Sequence, residues 1–141
     1  MENLQRAKNL LTENNASIVL VKDDEVFISD KKGIAPMIGF ISDNTNLNGF
    51  SAADKTVGKA AALLFAFAGI KEIYAEKLSR AAIPVLEEHN IGYSYKEIYD
   101  RILNRDKSDI CPMEKTVADI NDPKEAFVAL KNKLEMLGKS V

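Results

Sequence analysis

Cysteine and long apolar runs are what this sequence has least of. One cysteine among 141 residues cannot form an intramolecular disulfide, and the chain alone cannot assemble a Cys-rich zinc cluster. The longest apolar stretch, residues 60–70, is far shorter than the roughly 20 residues that a membrane-spanning helix needs. The N-terminus lacks the apolar core of a signal peptide. We therefore expect a cytoplasmic protein with no membrane partner.

The net charge is also small, and the sequence has one histidine. The 19 basic and 21 acidic residues give a formal net charge of −2, so no net field attracts the chain to nucleic acid, and we expect no such partner. The one histidine, His89, ends a predicted helix, so triad and His-based metal mechanisms would all depend on it. The length is typical of one domain, and we predict a single domain over residues 1–141.

Hydrophobic periodicity predicts alternating helices and strands in the first half. The predicted elements are a helix over residues 2–14, hairpin strands over 17–21 and 26–28, a short helix over 33–42 and a loop over 43–48. A strand over 49–53 then runs directly into a helix that Asp54 opens and Gly69 ends. Because that helix is apolar nearly all round, we expect protein to enclose it on most sides.

The second half continues the alternation. It adds strands over 72–75 and 91–95, and between them a helix with Pro84 near its start and an apolar face of Leu78, Ala81, Ala82, Val85 and Leu86. A short helix follows Cys111, and the last helix has Asp122 as cap, Pro123 first, and Phe127, Leu130, Leu134 and Leu137 inward. We predict an α/β fold, a three-layer α/β/α sandwich whose mixed sheet of about five strands joins an N-terminal antiparallel hairpin to parallel strands.

Polar residues at the predicted start of the first buried helix indicate an anion pocket. Asp54 lies where free backbone N–H groups and the helix dipole favour a negative ligand. Lys55 and Lys59 lie one turn apart on the predicted helix, and Gly58 between them permits the close approach of a phosphate. The alternative is structural: Asp54 caps the helix, Gly58 allows tight packing and the lysines extend to solvent.

A second candidate cluster opens the short helix after the polar loop. Cys111 precedes Pro112, and Glu114 follows in the first turn. A thiol at a helix start can serve as nucleophile or ligand, although a free cysteine is often only a small buried hydrophobe. Arg105 and Asp106 in the preceding loop either contact a ligand or form a solvated turn.

Three runs carry a resemblance to a known family. They are residues 53–61 (ADKTVGKAA), 104–106 (NRD) and 111–115 (CPMEK). The chain resembles, over nearly its whole length, a small prokaryotic family of uncharacterised proteins with a cytidine deaminase-like fold. The resemblance implies that fold, whose members commonly handle nucleobases and often form homo-oligomers with sites near subunit contacts.

The residues that zinc-dependent deaminases use are largely missing. Those enzymes carry His or Cys with a following Glu at one helix start and Pro-Cys-x-x-Cys at the other. Here Asp54 and Thr56 stand at the first start, and the second offers one thiol. A set of Asp54, Cys111 and Glu114 without histidine would be an unusual zinc site, so zinc is not expected and no cofactor is predicted.

Three functions stay open at this point, and whether the protein is an enzyme is one of the open questions. In the first, the domain binds a nucleotide or a derivative such as ADP-ribose, with Asp54, Lys55 and Lys59 at the ribose or phosphate. In the second, Cys111 or Asp54 is a nucleophile, Lys59 its electrostatic partner and Glu114 a proton carrier. In the third, the domain is a structural or regulatory module without chemistry.

Overall fold

Helices and strands alternate along the chain in a computed structural model, which describes residues 2–100 and 111–138. The helices are α1 (Glu2–Glu13), α2 (Ala35–Ser42), α3 (Lys59–Ala68), α4 (Ala82–Glu88), α5 (Pro112–Thr116) and α6 (Pro123–Met136). The strands are β1 (Ile18–Lys22), β2 (Glu25–Ser29), β3 (Ser51–Val57), β4 (Glu72–Ser79) and β5 (Gly92–Tyr99).

One mixed sheet contains all five strands, in the order β2-β1-β3-β4-β5. Strand β1 runs antiparallel to both β2 and β3, whereas β3, β4 and β5 are parallel to one another. The parallel strands are joined through α3 and α4, as crossover connections require. This arrangement confirms the predicted hairpin and the predicted parallel half of the sheet.

Helices cover the sheet on both faces. Helix α1 packs on one face over a small cluster of Ala7, Leu11, Ala16, Val19, Val21 and Ala53. A larger core lies on the other face, where α2 to α6 pack and residues 60–65 of α3 are buried. Along β1 the two clusters alternate, since Val19 faces α1 and Leu20 faces the larger core. The three-layer α/β/α sandwich is therefore confirmed.

The last helix follows its predicted signals at the start and departs from them at the end. Asp122 accepts a hydrogen bond from the Glu125 amide at 2.9 Å, and Pro123 occupies the first turn. Leu130 and Leu134 are buried as predicted. The prediction that Leu137 faces inward is wrong, because this residue follows the last helical turn and is 44% exposed.

The largest correction concerns the start of α3. The helix begins at Lys59 with Gly58 as its N-cap, so the prediction that Asp54 opens it is wrong. Asp54 lies inside β3, because residues 54–57 pair with β4 as far as Leu78. Strand pairing with a neighbour thus outweighs the weak local preference of this polar segment. For the same reason β4 and β5 extend beyond their predicted ends, and Leu78 belongs to β4 rather than α4.

A break in pairing crosses the three parallel strands just after Asp54. Asp54 pairs with Ala75 and Thr56 with Lys77, but the β3–β4 ladder skips the row between them. The β4–β5 ladder skips the same residue of β4, Glu76. Beyond the break, β3 changes the face that it presents to the larger core. Ala52 and Val57 both belong to that core, although they are an odd number of positions apart and would lie on opposite faces of a regular strand.

Helix length bears on the membrane question. Within residues 2–100 and 111–138, the helices are too short or too polar to cross a bilayer.

Candidate functional site

A carboxylate from α5 joins the starts of the two helices. Glu114 Oε1 accepts a hydrogen bond from the Lys59 amide, and Oε2 accepts one from the Ala60 amide, each at 2.9 Å. These are the first two amides of α3, which have no acceptor within their own helix. The helix dipole favours a negative group at this end. The protein's own Glu114 therefore occupies the free amides at the start of this helix, and the predicted binding of a ligand anion there stays a prediction.

Gly58 lies directly against this carboxylate. A Cβ atom at residue 58 would lie 2.6 Å from Glu114 Oε1, which is shorter than real contacts allow. The backbone of Gly58 has φ −107°, a value open to any residue, so crowding and not conformation selects glycine. Gly58 thus serves the packing of α5 against α3.

Lys59 also contacts the α5 segment through its side chain. Its ammonium Nζ donates to the carbonyl oxygen of Ala118 at 3.0 Å, just beyond the last turn of α5. The main chain of Lys59 therefore contacts the middle of α5, and its side chain contacts the residue two positions after that helix ends. A charge-assisted bond to an exposed carbonyl is one of the stronger hydrogen bonds available at a surface.

Lys55 lies on a different part of the molecule. Its Nζ donates to Asn15 Oδ1 at 2.8 Å, and its amide donates to the Ser17 carbonyl at 3.0 Å, so it ties β3 to the segment after α1. The prediction that Lys55 and Lys59 lie one turn apart on a helix is wrong, because residue 55 belongs to a strand. The two lysines do not converge on one anion.

Asp54 is a buried acid in the middle of the sheet. It is 9% exposed and lies between Ile18 of β1 and Ala75 of β4. Its Oδ1 accepts a hydrogen bond from the Thr56 amide at 3.2 Å. A side chain that takes the amide two residues ahead competes with the ladder of the sheet, which accounts for the skipped row beside it.

The surroundings of Asp54 disfavour its ionised form. Burial raises the pKa of this carboxyl from 3.8 to about 7, against the opposing effect of hydrogen bonds from the Thr56 and Lys55 backbone. The nearby charge of Glu76 adds to the rise in pKa. In the described part of the chain no basic side chain contacts Asp54. The group therefore titrates near neutrality and can both donate and accept hydrogen bonds.

Cys111 is the N-cap residue of α5 and is half buried against the larger core. Its side chain makes no capping hydrogen bond. Of the predicted site residues, Gly58 and Lys59 contact Glu114 on α5, the helix that Cys111 begins. Asp54 and Lys55 lie earlier in the chain, on β3. Arg105 and Asp106 lie outside the described residues.

The candidate ligands do not fit a zinc ion. Both oxygens of Glu114 are bonded to amides, Asp54 lies in a strand, and Cys111 is the one thiol. Across residues 2–100 and 111–138, no cluster of three or more His, Cys, Asp or Glu side chains is arranged to hold a metal. Structural and catalytic zinc sites in proteins use three or four such ligands. No reaction step through zinc follows from these residues.

Three features of the site could not be predicted from the sequence. Glu114 caps α3 across 55 residues of sequence, a contact that no local motif predicts. The Ala118 carbonyl and Glu76 gave no sequence signal at all. Glycine followed by Lys-Ala-Ala was the one available sign that α3 starts after residue 58, since glycine is an accepted N-cap residue.

The sequence places the chain in an uncharacterised family. Residues 6–134 match the family model TM1506, described as a domain of unknown function, DUF1893. The chain therefore belongs to the DUF1893 family. A crystal structure of a DUF1893 family protein from Thermotoga maritima superposes with a TM-score of 0.86 at 28% identity, covering 94% of this chain and 90% of that one. No curated protein matches the sequence.

Two more distant structural neighbours are deaminases by name. One is a diaminohydroxyphosphoribosylaminopyrimidine deaminase/5-amino-6-(5-phosphoribosylamino)uracil reductase from Thermotoga maritima, at TM-score 0.42 and 14% identity, covering 67% of this chain and 35% of that one. Another is the dCMP deaminase of cyanophage S-TIM5, at TM-score 0.43 and 13% identity, covering 70% and 94%. Their activities are their own and do not transfer to this chain at such similarity.

Proposed function

We propose that this domain binds a nucleotide or a nucleotide derivative, such as ADP-ribose, at a site that includes Asp54, without zinc-dependent deamination. The observation that carries the proposal is the Asp54 carboxyl, which is buried and has no basic partner in the described part of the chain. Burying such a group costs free energy unless a partner compensates. A bound ligand that pairs with the Asp54 carboxyl would offset this cost. Titratable groups with perturbed pKa values concentrate at functional sites, which supports such a role for Asp54.

A nucleobase suits this carboxyl. Its edge alternates N–H donors and ring acceptors, and a group that titrates near neutrality can match either kind. The deaminase-like fold predicted from the sequence supports the same ligand class, because its members commonly handle nucleobases. The direct ligand contacts predicted for Lys55, Gly58 and Lys59 stay predictions. The ammonium groups of the two lysines donate to protein oxygens.

Calorimetric titration tests this proposal directly. Nucleotides, nucleosides and ADP-ribose are titrated into the wild type, into Asp54→Asn and into the control Asp30→Asn, whose side chain is exposed after β2. We expect binding to the wild type and to the control and at least about tenfold weaker binding to Asp54→Asn. Absence of binding to the wild type would refute the proposal.

One observation favours a second function, that of a structural or regulatory module. The bidentate contact of Glu114 with α3 fixes α5 in place by protein groups alone. If the domain is such a module, Asp54→Asn changes the stability of the domain but does not change its binding to other molecules. The homo-oligomer implied by the resemblance stays a prediction, which light scattering after size-exclusion chromatography tests.

A further inference from the structure

We infer that two copies of this chain associate through the outer edge of β5, with the two strands antiparallel and Lys96 of each copy opposite Glu97 of the other. The contact joins two five-stranded sheets into one continuous sheet. This inference concerns a surface of the domain and does not depend on the ligand proposed above.

The outer edge of β5 is open. β5 is the last strand of the sheet, and no strand in the described part of the chain lies beyond it. The Gly92 amide and the Tyr99 carbonyl form hydrogen bonds of 3.2 and 2.8 Å with backbone groups that flank the two ends of β4. Because successive residues of a strand direct their backbone groups to opposite sides, Tyr95 and Ile98 direct theirs to the open edge.

The break in pairing places two apolar side chains of this edge on the same face. Tyr95 pairs with Ala75 and Ile98 pairs with Leu78, and both of these β4 residues belong to the larger core. Tyr95 and Ile98 therefore lie on that side of the sheet. They are an odd number of positions apart and would lie on opposite faces of a regular strand, but the β4–β5 ladder skips Lys96 between them.

One antiparallel register fits these faces. With a twofold axis between Lys96 and Glu97, Tyr95 of each copy lies opposite Ile98 of the other, on the same face and with backbone groups directed to one another. Aromatic and β-branched side chains stabilise a sheet when they are paired across strands. A shift by one residue in either direction places Tyr95 opposite Glu97 or Tyr99, which lie on the other face.

The same register pairs opposite charges. Lys96 and Glu97 are both exposed. Within residues 2–100 and 111–138, the Lys96 side chain has no partner, and Glu97 accepts one long hydrogen bond, of 3.4 Å, from the Tyr99 hydroxyl. A lysine on an edge strand ordinarily discourages pairing between sheets. Here the adjacent glutamate gives the lysine of a second copy its partner, and the contact occurs twice because of the symmetry.

The other edge of the sheet lacks this match. β2 has five residues, with Glu25 as its one charged residue, so two antiparallel copies of β2 form no opposite-charge pair. β5 has eight residues and carries both charges. The charge pattern of β5 is complementary to itself, which favours a second copy of this chain over an unrelated peptide as the occupant. The net charge of −2 adds little repulsion between the copies.

Reversing the two charges tests the interface. Sedimentation velocity over a range of protein concentrations measures the dimer dissociation constant of the wild type, Lys96→Glu, Glu97→Lys and the double variant. Each single reversal places like charges opposite one another twice and should weaken the dimer at least about tenfold. The double variant exchanges the charges and should recover the wild-type constant within about threefold. The controls Lys124→Glu and Glu135→Lys change exposed residues of α6 and should have no effect.

Three results would overturn the inference. The first is a wild type that stays monomeric at every concentration. The second is a dimer that both single variants leave unchanged, which would assign the contact to another surface. The third is a dimer that the single variants weaken and the double variant does not restore, which would mean that Lys96 and Glu97 do not face each other. Circular dichroism of each variant verifies that a lost dimer is not a lost fold.

Discussion

Replacing Asp54 by asparagine should stabilise the protein at neutral pH and leave it little changed in acid. Asparagine has nearly the same shape and keeps an oxygen that accepts from the Thr56 amide, but it cannot ionise. The folded state binds the Asp54 proton more tightly than the unfolded state, because the pKa rises from 3.8 to about 7 on folding. The wild type therefore loses stability as the pH rises through this interval.

The size of the effect follows from the shift in pKa. A difference of about three units, at about 1.4 kcal/mol per unit, corresponds to roughly 4 kcal/mol of stability at pH 7 and above. The stabilising contribution is fully present below the unfolded pKa of 3.8 and is fully lost above a pH of about 7. Of the total, about 3 kcal/mol should be lost between about pH 4.5 and pH 8.5.

Urea unfolding followed by circular dichroism measures this quantity. The difference in unfolding free energy between Asp54→Asn and the wild type should grow by about 3 kcal/mol from about pH 4.5 to pH 8.5. The exposed control Asp30→Asn should show little of this trend. A difference that does not vary with pH would refute the account, because it would mean that Asp54 has the same pKa in both states.

The remaining predictions concern the contact between α5 and α3. Glu114→Ala leaves the Lys59 and Ala60 amides without their acceptor and should cost about 1–3 kcal/mol in urea unfolding. Gly58→Ala places a methyl group against the Glu114 carboxylate and should cost a similar amount, but much less in the Glu114→Ala background. Lys59→Met removes the bond to the Ala118 carbonyl and should cost about 0.5–1.5 kcal/mol, partly screened because the group is near solvent.

Controls for this set are available within the chain. Glu135→Ala, at an exposed position of α6, should change stability by less than about 0.5 kcal/mol. If the losses in unfolding free energy for Gly58→Ala and Glu114→Ala add in the double variant, the two residues do not crowd each other directly. If Glu114→Ala costs no more than Glu135→Ala, Glu114 does not cap α3.

Much of the fold could be predicted because its signals are local. The hairpin of β1 and β2 follows from two β-branched runs on either side of Asp23 and Asp24, a two-residue turn in which Asp23 has φ 54°. The end of α3 follows from Gly69, whose left-handed φ of 79° closes the helix. The start of α6 follows from its Asp122 cap. Each signal spans a few residues and needs no distant partner.

The site was less predictable because its contacts are long-range. Residues 54–57 have a polar composition that suits a helix start as well as a strand, and pairing with β4 decides in favour of the strand. That choice moves Asp54 from the end of a helix to the interior of a sheet, where burial changes its pKa. It also moves Lys55 away from Lys59.

Local signals in the chain specify the order of the elements and the α/β class, because periodicity, caps and turns depend on adjacent residues. Which groups meet depends on packing between distant segments. Only folding brings Glu114 to the amides of Lys59 and Ala60, more than 50 residues away, and only the neighbouring strands desolvate Asp54. A hydrogen bond or a pKa depends on neighbours in space, and the sequence specifies those neighbours only through the completed fold.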